Sequence, residues 1–109
     1  MSDNDYLHDA VFVEGARIPF LRSGTAYKDL MAWELGRMAI EGLLARSNIM
    51  PDQIERVIMG TVIQEVKTSN VAREASLGAG IPNTVPAYTT TMACISSNAA
   101  VTNAADLIR

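Results

Sequence analysis

The residue of this sequence best equipped for covalent chemistry is Cys94, the single cysteine among 109 residues. It lies in TTTMACISSNAA, residues 89 to 100, where β-favouring side chains give way to small ones. The pattern predicts a strand over Tyr88 to Met92 and a helix from Cys94 to Arg109, which puts the thiol in the helix's first turn. There the unpaired amide hydrogens and the positive end of the helix dipole favour thiolate, the nucleophilic form, over thiol. The same amides can cradle an oxyanion formed when the sulfur attacks a carbonyl. In open α/β sheets the carboxyl ends of strands are also where ligands bind. The competing use of the residue is packing, because a free cysteine commonly fills a core as a small apolar group.

Little else in the composition is built for chemistry. One cysteine cannot close an intramolecular disulfide, and with a single histidine, His8, there is no zinc ligand set. The 9 Lys and Arg are scattered among 12 Asp and Glu, without the clustered positive charge that nucleic acid requires. The start, Met1-Ser2-Asp3-Asn4-Asp5, is acidic and lacks the cationic and apolar regions of a signal peptide. No apolar run approaches the roughly 20 residues of a membrane span. A lone reduced thiol and these absences lead to the expectation of a cytoplasmic protein with no metal and no membrane span.

The elements that must position Cys94 follow from periodicity. Ala10-Val11-Phe12-Val13 is a short apolar run closed by Gly15 and Pro19, and predicts a buried first strand. The breaker-rich ARIPFLRSGTAYKD follows, with Asp29 as the expected cap of a first helix and Tyr27-Lys28-Asp29 as its start. Met31, Leu35, Met38 and Leu43 recur on one side of that helix, and Asn48 and Pro51 stop it. Val57-Ile58-Met59 ending at Gly60 predicts a second strand. A second helix is expected over residues 70 to 79, capped by Ser69 and closed by Gly78 and Gly80. The resulting order, β-α-β-α-β-α, indicates α/β crossovers and a mainly parallel sheet. Ser96, Ser97, Ala99, Ala100, Ala104 and Ala105 leave the third helix so little bulk that it is expected to be enclosed on several sides. It reaches Arg109 without a capping signal, as expected of a chain cut from a larger protein.

Three separated blocks resemble the thiolase family in order and spacing, over Val11 to Arg109. TTTMACISSNAAVTNAADLI resembles its nucleophile segment, with Thr90 where an aliphatic residue is more common. VFVEGARIPF resembles its opening strand and Arg-Thr-Pro-Phe-type loop, with Ile18 in place of threonine. GTVIQEVKTSNVAREASLGAGIP resembles its second strand and helix, in wording closest to the β-subunit type of the fatty-acid oxidation trifunctional complex.

The resemblance implies that residues 1–109 are a partial thiolase N-terminal domain, one half of a layered αβαβα architecture. It implies a 3-ketoacyl-CoA thiolase of β-oxidation, in which Cys94 takes an acyl group as a thioester, with its backbone N–H as an oxyanion donor. CoA is then a co-substrate, no other cofactor is implied, and the partners are acyl-CoA, further copies in a homo-oligomer and an α-subunit of a fatty-acid oxidation complex. The family's activating histidine, asparagine-bearing motif and second cysteine fall in later segments, and His8 matches none of them. The 109 residues alone are therefore expected to have negligible turnover. Two other readings are a ketoacyl-synthase-like condensing enzyme, against which the NVAREA block speaks, and a non-catalytic assembly module. Asn70, Arg73 and Glu74 are expected either at a subunit interface or on a solvated face. Met31, Trp33 and Met38 are expected in packing, and Gln64 is a weaker candidate for the site.

Overall fold

The computed structural model describes residues 9–109, so the acidic start and His8 lie outside the described residues. The chain forms α1 (Ala32–Ser47), β1 (Val57–Gly60), α2 (Val71–Gly78), β2 (Ala87–Thr90) and α3 (Ser96–Ile108), with a short 3-10 turn at Pro51–Gln53 after α1. β1 and β2 pair in parallel, Val57 opposite Ala87 through Gly60 opposite Thr90. Parallel neighbours need a long crossover, and α2 supplies it. The expected α/β class and parallel pairing are therefore present.

Helices cover both faces of this pair. Successive strand residues point to opposite sides. A Cβ built on Gly36 of α1 meets Met59 Cε at 2.8 Å and Ala75 Cβ of α2 at 3.3 Å, so Met59 faces α1 and α2. One built on Gly60 meets the Ser96–Ser97 backbone, so the next residue faces α3. The buried apolar core is small and centres on α2, with Val71, Ala72, Ala75, Ile81 and Val85, joined by Ala100 of α3. Met31, Trp33 and Met38 are half-buried on and beside α1.

The first expected strand is not formed. Val11, Phe12 and Val13 are 74, 89 and 76 % exposed, and the sheet among the described residues has two strands. An apolar run becomes a strand only when a neighbour takes its N–H and C=O groups. Here the segment is separated by a groove from α3 on one side and from the end of α1 on the other, without a ladder partner among the described residues.

Both expected helix caps also move. Residues 25 to 30 are used in tight turns (Lys28 N to Thr25 O, Leu30 N to Tyr27 O), so α1 starts beyond Asp29 and its first free amide, Met31 N–H, is taken by the Glu34 carboxylate at 2.8 Å. Asn48 closes α1 in the left-handed conformation at φ 57°.

At α2 the cap is Asn70, one residue past Ser69, because its longer side chain carries acceptor and donor on separate atoms that reach three partners at once. Asn70 Oδ1 accepts from Arg73 N–H at 3.1 Å and from Thr89 Oγ1 at 2.7 Å, while Nδ2 donates to Ala87 O at 3.1 Å. Thr89 Oγ1 in turn accepts from Ala72 N–H at 3.0 Å, tying α2 to β2. Arg73 donates to Val85 O and Asn83 O, both at 2.9 Å. Asn70 and Arg73 are thus spent within the chain, and of that trio Glu74 alone is exposed. Asn70→Ala removes a cap and two cross-links, and is expected to lower unfolding free energy by about 2–3 kcal/mol. A urea midpoint that falls at unchanged m-value checks it.

Candidate active site

Cys94 lies just past the end of β2, exposed, in the turn that feeds α3. The helix begins later than its sequence pattern predicts: Ile95 is the residue before its first turn and Ser96 its first member. Residues 92 to 96 form tight turns instead, with Ile95 N–H on Met92 O at 3.1 Å and Ser96 N–H on Ala93 O at 3.2 Å. Ala93 adopts φ 45°, a left-handed conformation that costs a non-glycine residue about 1–2 kcal/mol. It reverses the chain so sharply that Cys94 stands at the rim of the helix start, outside its first turn.

The position still meets the helix's amino end. The first residue to close an intrahelical bond there is Ala99, to Ile95 O at 2.9 Å. Ser97 and Asn98 keep their N–H groups without a backbone acceptor among the described residues, as the first turn of a helix must. What a thiol can do there is attack an electrophilic carbonyl beside amides that stabilise the charge produced.

Two residues with no chemistry of their own build this site. The Ser96 side chain is 3 % exposed; its hydroxyl accepts from Met92 N–H at 2.8 Å and donates to Ala93 O at 2.7 Å, bracketing Cys94. Sequence reading takes Ser96 only as a small residue, although a serine three positions after a turn's tight residue is the type that bonds back to local backbone. Gly60 lets the Ser96–Ser97 peptide lie directly on β1: a Cβ there is 2.4 Å from the Ser96 carbonyl carbon and oxygen and 2.6 Å from Ser97 N. Sequence reading takes Gly60 only as the end of a strand.

α3 is packed on one side. Ser96 and Ala100 are buried, while Val101, Leu107 and Ile108 are exposed, so the enclosure expected from its small residues is absent among the described residues. The small residues do allow the close approach to β1, but nothing here covers the outer face. Two grooves flank the helix, one against residues 10 to 12 and one against β1, and neither includes Cys94. Gln64 is exposed in the loop after β1, with no hydrogen bond to the Cys94 turn among the described residues.

Known proteins resemble this chain in sequence and in fold. The chain is 64% identical over 102 residues to the mitochondrial trifunctional enzyme subunit β of Rattus norvegicus, a match covering 94% of this chain and 22% of that protein. It is 53% identical over 92 residues to a probable 3-ketoacyl-CoA thiolase of Caenorhabditis elegans, covering 84% of this chain and 20% of the other. The crystal structure of the Bacillus anthracis acetyl-CoA acetyltransferase superposes with a TM-score of 0.86 at 33% identity, over 91% of this chain and 25% of that one. The chain thus spans about a fifth of the length of these curated relatives. Residues 10–109 match the family described as thiolase, N-terminal domain, which takes in the exposed apolar segment, the paired strands and the Cys94 turn together. By sequence and by fold, the chain belongs to the thiolase family and represents part of its N-terminal domain.

Proposed function

We propose that this chain carries the nucleophile of a 3-ketoacyl-CoA thiolase of fatty acid β-oxidation, and that Cys94 is that nucleophile. The observation that carries the reading is the placement of an exposed thiol on a tight turn at the amino end of α3. The Cys94 sulfur bonds to the 3-keto carbon of a 3-ketoacyl-CoA, its proton passes to a base, and the carbonyl oxygen takes up negative charge facing backbone N–H groups, that of Cys94 included. The bond from that carbon to the α-carbon then breaks. The electron pair stays on the α-carbon, which takes a proton, and acetyl-CoA departs, leaving the shortened acyl group on sulfur. The thiol of free CoA attacks this thioester and Cys94 is regenerated. Sulfur suits both halves, since the acyl-enzyme is a thioester of nearly the same energy as the product, and two half-reactions through one covalent intermediate give ping-pong kinetics.

The proton transfers need groups that these residues do not include, because the chain holds one histidine, His8, and no second cysteine. Acyl-CoA and CoA are the small-molecule partners under this reading. Further copies of the chain and an α-subunit of a fatty-acid oxidation complex are the macromolecular ones; the name of the rat relative, a subunit β, supports the second. Among the described residues no helix is long and apolar enough to cross a membrane. A free thiol calls for a reducing compartment; the cytoplasm expected above supplies one, while the rat relative is named mitochondrial. Subcellular fractionation distinguishes the two.

The direct test mixes the protein at its natural length with a 3-ketoacyl-CoA in the absence of CoA and digests it with trypsin near neutral pH with no added thiol, where a thioester persists. The peptide from Glu74 to Arg109, which holds Cys94, is expected to gain the mass of the shortened acyl group and to lose it on addition of CoA. Acetyl-CoA release with no acyl group on that peptide overturns the assignment of Cys94. Neither release nor acylation leaves the assembly-module reading in its place.

A further inference from the structure

We infer that Ser96 is a positioning residue for the nucleophile, and that what it positions is the Cys94 backbone N–H; the inference rests on the thiolase reading of Cys94. The Ala93 carbonyl accepts twice from Ser96, from the hydroxyl at 2.7 Å and from the backbone N–H at 3.2 Å. That carbonyl belongs to the peptide joining Ala93 to Cys94. In a planar trans peptide the C=O and the following N–H point in opposite directions. Holding Ala93 O toward Ser96 therefore fixes Cys94 N–H on the opposite side of that peptide, where it has no backbone acceptor among the described residues and is left for an incoming carbonyl oxygen.

The clip has a fixed base. Ser96 also accepts from Met92 N–H at 2.8 Å, so the hydroxyl spans both sides of the turn. Its side chain is 3 % exposed, and its own carbonyl lies against Gly60 of β1. Without the hydroxyl the left-handed Ala93 loses one of two bonds to its carbonyl, and the peptide plane is free to rotate toward an ordinary conformation. Ser96 touches no substrate. It acts through the orientation of its neighbour, and that gives it a signature distinct from a general packing role.

The signature comes from comparing two reactions of one sulfur. Attack on a 3-ketoacyl-CoA builds charge on a carbonyl oxygen and draws on the Cys94 N–H. Alkylation by iodoacetamide displaces iodide and builds no oxyanion. In the protein at its natural length, Ser96→Ala is expected to lower kcat by about 10–100-fold, less than the loss of a whole oxyanion donor, with KM changed less than about 3-fold. Alkylation of Cys94 is expected to stay within about 3-fold of the parent. Ser96→Thr, which keeps the hydroxyl, is expected to recover most of the loss, and Ser96→Val, its isostere, is not. Should Ser96→Ala fail to fold, the threonine and valine pair makes the same comparison.

Unchanged kcat in Ser96→Ala, or kcat and alkylation falling together, overturns the inference. So does a threonine variant that fails to fold, which assigns Ser96 to packing alone. Failure of the thiolase reading appears elsewhere, as acyl transfer that continues after Cys94 has been fully alkylated.

Discussion

In the protein at its natural length, Cys94→Ser is expected to lower kcat/KM for 3-ketoacyl-CoA cleavage by about 10³–10⁶-fold, the range seen when a nucleophile is removed and the rest of a site is left in place. The fold should not notice. Cys94 is exposed, its side chain fills no core position, and one chalcogen replaces another, so thermal unfolding should stay within about 0.5 kcal/mol of the parent. The activity loss has two parts that can be separated. A serine hydroxyl ionises far less readily than a thiol and is a far weaker nucleophile than a thiolate, which slows acylation. Any acyl-serine that does form is an ester, lower in energy than the thioester product, so return of the acyl group to CoA is slower still. Mass spectrometry should therefore find either no acyl adduct or one that persists when CoA is added. Turnover within tenfold of the parent sinks the nucleophile assignment.

Gly60→Ala is expected to cost at least about 3 kcal/mol, at the upper end of what one added methyl group does to a packed site. The usual escape is closed. Its Cβ meets three backbone atoms of Ser96 and Ser97 at 2.4–2.6 Å, with no flexible side chain to swing away. On the strand side β1 is held in register with β2, and Thr61 N–H bonds Thr90 O at 3.1 Å just beyond it. On the helix side, moving Ser96 breaks its two hydroxyl bonds to the Cys94 turn. α3 must lift off β1, and Cys94 moves with it. A shift of about 1 Å in such a group costs on the order of 10²-fold in rate, so surviving folded protein should also be a poor catalyst. A urea midpoint within about 1 kcal/mol of the parent shows that the contact is looser than its geometry implies.

Several elements are legible because their causes are local. α1 announces itself by apolar spacing and stops at Asn48, whose left-handed conformation is one that asparagine tolerates. β1 and β2 are short apolar or β-branched runs flanked by breakers, and alternation with helices dictates that they pair in parallel. Cys94 stands out by being alone, and its neighbours mark a strand handing over to a helix. The resemblance of three blocks to thiolases is also a property of the sequence, and the family match over residues 10–109 agrees with it.

Other features depend on partners distant in the chain. The run at residues 10–13 has the composition of a strand but no neighbour to bond among the described residues, and composition cannot supply one. The cap of α2 falls on Asn70 because Thr89 and Ala87, across the chain on β2, are met by the oxygen and the nitrogen of its amide, which a serine would have to serve from one shorter-reaching atom. Asp29 loses the cap of α1 to the preceding turns, which consume the chain before the helix can begin.

At the site itself, the sequence by itself determined which side chain is equipped to react: a thiol that no other residue duplicates, on a chain whose order of elements places it after a parallel strand. Only the tertiary structure decided where that atom stands, just outside the first turn of α3 on a left-handed bend. It also decided that Ser96 and Gly60 hold it there. The physical reason is that reactivity resides in a side chain, whereas position is set by backbone atoms of β1 and α3 that meet only after the fold has formed.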